Sequence, residues 1–216
     1  MRVIISSDNR AVSNELIDYI KSHRKLFQLV TGMAESSTEV RMRLIFLEID
    51  NETERFFQSH NHGYDSYEDM AKDYDTLMEY WSEFLDYMDN LLNRTIAKNI
   101  IYIMNKGFAD FLVEFTLEYM NGTYEQRSKY QQFYNKSLAK LLEFIPEGIY
   151  FRSNEYTNES DLPESTSRSW FLLANTPIFS TITTKSIILS GDTETRFAKV
   201  INTIRDNLDN GMYLFK

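Results

Sequence analysis

The chain of 216 residues contains no cysteine, only three prolines and only seven glycines. Without cysteine it has no disulfides, no thiolate metal ligands and no cysteine nucleophile. Because prolines and glycines are few, the sequence has few residues that mark turns between structural elements. A cysteine-free chain is typical of an intracellular (cytoplasmic) protein or of a virion component, and we expect one of these two locations.

Long hydrophobic runs are also absent. The N-terminal apolar run covers only residues 3–5, which is too short for the core of a secretory signal, so we expect no export by that route. The most hydrophobic stretch, residues 96–119, is interrupted by five charged side chains, whereas a membrane span needs about 20 apolar residues. These five are Lys98, Lys106, Asp110, Glu114 and Glu118. We therefore expect a soluble protein that does not enter a membrane.

Positive charge is scarce: 23 Lys and Arg stand against 32 Asp and Glu, which gives a net charge of −9. The compact basic cluster of the sequence consists of Lys21, His23, Arg24 and Lys25. Binding to a phosphate backbone needs a broader positive surface than these side chains provide. We therefore expect no general nucleic-acid binding.

What the sequence does contain is a strongly patterned segment, residues 66–93, whose apolar residues fall on one side of a helix. The opposite side carries eight acidic residues and a single Lys72, so it accounts for seven of the nine net negative charges. Such a face is often only a solvated surface that keeps a protein soluble. Tyr80 and Tyr87, however, are predicted to project from it, and exposed aromatic residues among charges are typical of interface anchors. The predicted interaction residues are Asp73, Glu79, Tyr80, Glu83, Asp86 and Tyr87.

Two further long helices are predicted over residues 95–120 and 123–144, the first ending at Asn121-Gly122 with a left-handed C-cap. Three consecutive helices with short connections favour an antiparallel bundle. A strand at residues 3–5 followed by a helix at 9–22 resembles the start of a nucleotide-binding fold, but no glycine loop and no second strand–helix unit follow nearby. Residues 26–59 fit either a helix or a strand, and we favour helix because the neighbouring segments are helical.

The last part of the chain changes character. Residues 152–169 form a polar stretch that we interpret as a loop, and β-type patterns follow at 170–173, 178–189 and 212–215, with a helix at 193–208. Residues 149–151 could add another strand. The predicted fold is therefore mainly α: an antiparallel helical bundle, residues 1–148, with a small C-terminal α+β appendage, residues 149–216.

The candidate metal ligands of the sequence are His60, His62 and Asp65, which lie close together before the acidic helix. Two histidines near the start of a helix are more often exposed loop residues, and no zinc-hydrolase motif accompanies them. The sequence also lacks a nucleophile elbow, a Walker A loop and a dinucleotide fingerprint. We therefore assign no catalytic residue, no bound metal and no cofactor, and we expect the protein not to be an enzyme.

These observations favour a non-enzymatic interaction or assembly subunit that works through protein partners as a homo- or hetero-oligomer. A phage or viral structural component, such as a head–tail connector subunit, is one concrete form. A first alternative is an acidic inhibitor whose carboxylates imitate nucleic acid. A second alternative is a metal-dependent hydrolase that uses the cluster of His60, His62 and Asp65.

Overall fold

A computed structural model describes residues 1–7, 10–31, 43–93, 100–144, 148–153 and 186–209. Within these ranges the chain forms a five-stranded, all-parallel sheet with the strand order β2-β3-β1-β4-β5. The strands are β1 (Arg2–Ser7), β2 (Arg43–Leu47), β3 (Ile100–Met104), β4 (Gly148–Ser153) and β5 (Ser186–Leu189).

Helices connect and follow these strands. In chain order they are α1 (Arg10–Ser22), α2 (Arg24–Val30), α3 (Ile49–Ser59), α4 (Tyr67–Met70), α5 (Tyr74–Asn93), α6 (Phe108–Asn121), α7 (Tyr124–Phe144) and α8 (Thr193–Asp209). None of the helices in the described ranges is long and apolar enough to cross a membrane.

The chain divides into two compact units. The sheet unit comprises Met1–Leu47, Thr95–Asn105 and Glu147–Lys216, and the helical unit comprises Glu48–Arg94 and Lys106–Pro146. The polypeptide thus passes from one unit to the other four times, whereas the sequence suggested one boundary between residues 148 and 149.

The core of the sheet unit lies on one face of the sheet. Alternate residues of the strands, such as Val3 and Ile5 of β1 and Phe151 of β4, pack there against the apolar sides of α1, α2 and α8. The helical residues of this core include Leu16, Ile20, Phe27, Phe197, Val200 and Ile204, which are all at most 6% exposed. Each such side chain stabilises the fold by about 1.5–3 kcal/mol relative to full exposure.

The core of the helical unit is built from aromatic rings. Phe84 of α5 is 1% exposed, and its ring centroid lies 5.1 Å from that of Phe111, 5.4 Å from that of Phe56 and 5.5 Å from that of Trp81. The angles between these rings place them mostly edge to face, which is the favoured arrangement of aromatic pairs. The many phenylalanines and tyrosines of the sequence therefore serve packing in this unit.

The predicted antiparallel bundle with a small appendage is wrong, because the strands of a central parallel sheet are drawn from the whole length of the chain. Residues 100–104 form β3 inside the segment predicted as a helix over 95–120, and residues 43–47 form β2 where a helix was favoured. Both are short runs of mostly apolar residues. Periodicity cannot separate a buried parallel strand from a buried helical turn over so few residues.

Other predicted elements are confirmed in outline, namely the helices at 9–22, 123–144 and 193–208 and the strand at 149–151. The segment 66–93 is helical but broken: Ser66 caps α4, and the carboxylate of Asp73 accepts hydrogen bonds from the backbone N–H and the hydroxyl of Thr76 at the start of α5. The predicted strands at 170–173 and 212–215, most of 178–189 and the loop after Ser153 lie outside the described residues.

The end of α6 also differs from the expectation. Gly122 has a φ of −67°, so it is not in the left-handed region, and the predicted left-handed cap is wrong. A glycine stands there because the ring of Tyr74 occupies the space that a Cβ atom would need. Glycine is therefore required at position 122 because the side chain of Tyr74 comes close to the backbone there, and not because of a left-handed backbone conformation.

Candidate functional site

The carboxyl ends of the five strands meet at one edge of the sheet, because all strands run in the same direction. In open α/β sheets, ligands bind outside this edge, at the point where the chain leaves neighbouring strands in opposite directions. A ligand site is therefore expected at this edge.

The strands β1 and β4 meet that criterion. From β1 the chain continues to β2, two places away toward one side of the sheet, and from β4 it continues to β5 on the other side. Since β1 and β4 are adjacent, the connections that leave their carboxyl ends diverge. The space beyond these two strand ends is the candidate site.

Among the polar side chains that the structure describes at the ends of β1 and β4, the buried ones are Ser6, Arg152 and Ser153. They are 3%, 6% and 3% exposed. Ser6 lies directly opposite Arg152 in the register of the two strands, so these two share one face of the sheet, and Ser153 belongs to the other face. We call these three residues the edge cluster.

A buried guanidinium group is costly unless its surroundings compensate its charge. Arg2 provides a comparison, because it is also buried, on the same face of β1, but at the amino edge of the sheet opposite Gly148. The two arginines lie at opposite edges of the sheet, and of the two it is Arg152 that stands at the edge where ligands bind in such sheets.

The turn after β5 brings a helix start to the same edge. Gly191 has a φ of +89°, which favours glycine, and the carboxylate of Asp192 accepts a hydrogen bond of 2.8 Å from the backbone N–H of Thr195. Hydrogen bonds from Thr195 lower the pKa of Asp192, which is therefore ionised as the N-cap of α8. The hydroxyl of Thr193 donates to Glu15 of α1 at 2.6 Å, which ties the two helices together.

A buried cation of the helical unit has a structural explanation. The ammonium of Lys106 lies 2.5 Å from a carboxylate oxygen of Glu114, 3.8 Å from one of Asp50 and 5.1 Å from the ring centroid of Phe111. These groups compensate its burial. Lys106 therefore belongs to the interior of its unit.

The predicted interaction residues on α5 are only partly where the sequence placed them. The expectation that Tyr80 is exposed is wrong: it is 2% exposed and packs among the rings of Phe56, Tyr67 and Phe84. Tyr87 is half-buried, and its hydroxyl donates to Glu52 at 2.7 Å. A helix wheel could not show this because the second apolar surface that covers these tyrosines, α3, comes from another part of the sequence.

The acidic face of α5 carries ion pairs with lysines of α7, and Asp86 of the predicted set takes part in one of them. Asp86 and Asp89 share the ammonium of Lys140, at 2.9 and 3.2 Å, and Asp75 pairs with Lys129 at 2.8 Å. Glu79 is exposed, and Asp73 caps α5. These lysines compensate part of the charge that an imitation of nucleic acid would need, so this alternative gains no support.

The histidines near the start of α4 have ordinary contacts. The ring of His60 stacks on Phe56 at 4.1 Å, and Nε2 of His62 lies 3.4 Å from a carboxylate oxygen of Glu83. In the described parts of the chain no three His, Asp or Glu side chains are grouped so that they could hold a metal ion. The hydrolase alternative, which needed His60, His62 and Asp65 together, therefore gains no support.

Sequence reasoning missed the edge cluster. A signal was present, since Arg152 and Ser153 directly follow the apolar residues Ile149-Tyr-Phe, as polar residues do at the end of a buried strand. Without the strand order, nothing linked Arg152 to Ser6 at the other end of the chain. No family model, curated protein or solved structure matches this chain.

Proposed function

We propose that the protein binds a small phosphate-bearing ligand at the carboxyl edge of its sheet, between β1 and β4. The observation that carries this proposal is the position of Arg152 directly opposite Ser6 at the ends of the two strands where the chain diverges. Binding is the whole of the proposal, and the absence of catalytic activity stays a prediction from the sequence.

The chemistry of the edge cluster favours phosphate. Guanidinium presents a planar fork of N–H donors that matches two phosphate oxygens, and such charge-assisted bonds are about twice as strong as neutral ones. The hydroxyls of Ser6 and Ser153 can donate to further oxygens.

The charge of the surroundings also supports an anionic ligand. The sheet unit contains 15 basic and 14 acidic residues, although the whole chain carries a net charge of −9. An anion that approaches the sheet unit therefore meets no excess of negative charge from that unit itself.

The proposal is tested by calorimetric titration of the full chain with inorganic pyrophosphate and with ADP. We expect both to bind, and we expect Arg152→Lys to weaken the binding about tenfold or more, because lysine lacks the guanidinium fork. Arg2→Lys is the matched control, since it makes the same change at a buried site at the opposite edge and should leave the affinity unchanged.

The proposal is wrong if neither probe binds, or if both arginine variants weaken binding equally. Ser153→Ala is a milder variant that tests the proposal if Arg152→Lys folds poorly. It should weaken binding about threefold to tenfold, because one hydrogen bond to the ligand is lost. Citrate provides a polyanion without phosphate, and tighter binding of citrate than of pyrophosphate would contradict the assignment to phosphate.

The assembly role, with homo- or hetero-oligomeric protein partners and a place in a virion, stays a prediction from the sequence. The exposed apolar residues Leu26 and Leu29 of α2 and Ile188 of β5 are compatible with a protein contact. They do not indicate what such a partner would be.

A further inference from the structure

The helical unit contains a cleft of about 520 Å³, and both walls of the cleft come from this unit. Its lining combines two aromatic rings, two carboxylates and two side-chain amides: Tyr67, Tyr74, Glu68, Glu118, Asn121 and Gln126. A concave surface with aromatic walls and a few convergent polar groups is the usual character of a small-molecule site.

The aromatic walls are held in place by their neighbours. The hydroxyl of Tyr74 donates to the backbone carbonyl of Tyr119 at 3.1 Å, and its ring centroid lies 5.7 Å from that of Tyr130. The ring centroid of Tyr67 lies 5.7 Å from that of Tyr80 and 6.2 Å from that of Phe57. Two fixed rings therefore face a ligand without first having to be ordered.

Glu118 is the half-buried carboxylate of the cleft. Its burial and the nearby carboxylate of Glu114 raise its pKa, while hydrogen bonds from Tyr67 and Asn121 lower it to a smaller extent. In the described residues no basic side chain lies within ion-pair distance of Glu118. A cation that enters the cleft would therefore supply the positive partner that Glu118 lacks and would stabilise its ionised form.

The other charged groups of the cleft do not offset the negative charge of Glu118. The ammonium of Lys72 is held 2.6 Å from a carboxylate oxygen of Asp69, so its charge is already compensated. Glu68, which is exposed, adds a second carboxylate to the lining. The remaining charge of the cleft is negative.

We propose that this cleft binds an organic cation, namely a primary ammonium group carried on a short aliphatic chain. The ammonium pairs with Glu118 and donates to the amide oxygen of Asn121, and the aliphatic chain lies against the rings of Tyr67 and Tyr74. Ammonium has three donors to distribute among such acceptors, and the faces of aromatic rings attract cations as well. A second ammonium at the other end of a diamine reaches Glu68.

An alkylammonium is favoured over a bare metal ion or an anion. The described residues of the cleft offer only two carboxylates, and no group of three metal ligands lies among them. An anion would face the same two carboxylates without a free positive charge to bind it. This inference concerns the helical unit alone and does not depend on the ligand proposed for the sheet unit.

The test is a calorimetric titration of the full chain with 1,5-diaminopentane, with 1-pentanol as a neutral probe of the same chain length. We expect the diamine to bind and pentanol not to bind. Glu118→Gln should weaken the binding of the diamine about tenfold or more, because it replaces a charge-assisted hydrogen bond by a neutral one.

The matched control is Glu143→Gln, which removes the same charge from an exposed position on α7 outside the cleft. Equal losses in the two variants would mean that the diamine responds only to the negative charge of the unit, and this result would overturn the proposal. Binding of pentanol as tight as that of the diamine, or no binding of the diamine, would also overturn it.

A second variant keeps the test decisive if Glu118→Gln folds poorly. Tyr67→Leu leaves every charge in place but removes one aromatic wall and the hydrogen bond from Tyr67 to Glu118, and we expect it to weaken diamine binding about twofold to tenfold. Unchanged binding in a folded Tyr67→Leu protein would contradict the proposed position of the aliphatic chain.

Discussion

The sheet unit and the helical unit divide the charges of the chain very unequally. The sheet unit holds 15 basic and 14 acidic residues, a net charge of +1, whereas the helical unit holds 8 basic and 18 acidic residues, a net charge of −10. The polar groups of the two candidate sites follow the same division: a buried guanidinium with hydroxyls in one, carboxylates with phenols in the other. The net charge of the whole chain therefore describes neither unit. We expect each candidate site to select a ligand whose charge is opposite to that of its own polar groups.

The two units also differ in how they are held together. The core of the sheet unit consists mainly of aliphatic side chains, with Phe151 among the strand residues, whereas the helical unit relies on contacts between aromatic rings. Substitutions made in matched pairs, one in each unit, show whether this difference matters for stability.

The largest effect is expected from truncation of a buried ring in each unit. Phe84→Ala and Phe151→Ala each remove a side chain that is at most 1% exposed, and each should lower the free energy of unfolding by about 3–5 kcal/mol. Hydrogen exchange followed by mass spectrometry should show lost protection mainly in the unit that carries the substitution. Loss across both units from either change would show that they unfold as one. Tyr124→Ala is the control: this residue is 84% exposed, and the change should cost less than about 0.5 kcal/mol.

An intermediate effect is expected where a glycine is required by a neighbour. Gly122→Ala should cost about 1–3 kcal/mol, because the new methyl group collides with the ring of Tyr74, which is fixed by its hydrogen bond to Tyr119. Gly148→Ala in the sheet unit collides with the flexible end of Ile4 and makes ordinary contacts with Arg2, so it should cost less than about 1 kcal/mol. Urea denaturation of the two variants measures the difference. Equal costs would mean that the ring of Tyr74 moves as easily as the end of Ile4.

The smallest effect is expected from the titration of Glu118. Burial and Glu114 raise its pKa, so the native chain holds this proton more tightly than the unfolded chain. The contribution to stability is therefore fully present below the ordinary pKa of glutamate and is lost as the pH rises through the raised value. Glu118→Gln should remove this decline. Urea denaturation at a series of pH values checks it, with Glu143→Gln for comparison, and an unchanged decline in Glu118→Gln would assign it to other groups.

Local patterns in the sequence predicted single elements well where the pattern was long. The helices α1, α7 and α8 and the core side of α5 could be recognised because an apolar stripe of three or more turns has one geometric solution. The strands β2 and β3 were missed because five mostly apolar residues fit both a helix and a strand. The tyrosines of α5 were misplaced for a related reason: a wheel shows which side of a helix a residue occupies, but not how many neighbours surround the helix.

The candidate sites show the same limit. Glu118 could be named from the sequence only as a charge that interrupts a hydrophobic stretch, since its role in the cleft depends on Tyr67 and Tyr74 from other helices. Arg152 and Ser6 are 146 positions apart in the chain, and their pairing exists only because β4 lies beside β1.

The sequence by itself determined the lack of thiol chemistry, the excess of negative charge, the aromatic composition and the longer amphipathic helices, since these depend on residue types and on spacing over a few turns. The tertiary structure alone decided the parallel sheet, the separation of the chain into a nearly neutral and a strongly acidic unit, and the two candidate sites. The physical reason is that strand order and packing are set by contacts between residues far apart in the chain. These long-range contacts are stabilised by the burial of apolar surface in the folded protein. No short stretch of sequence contains both partners of such a contact.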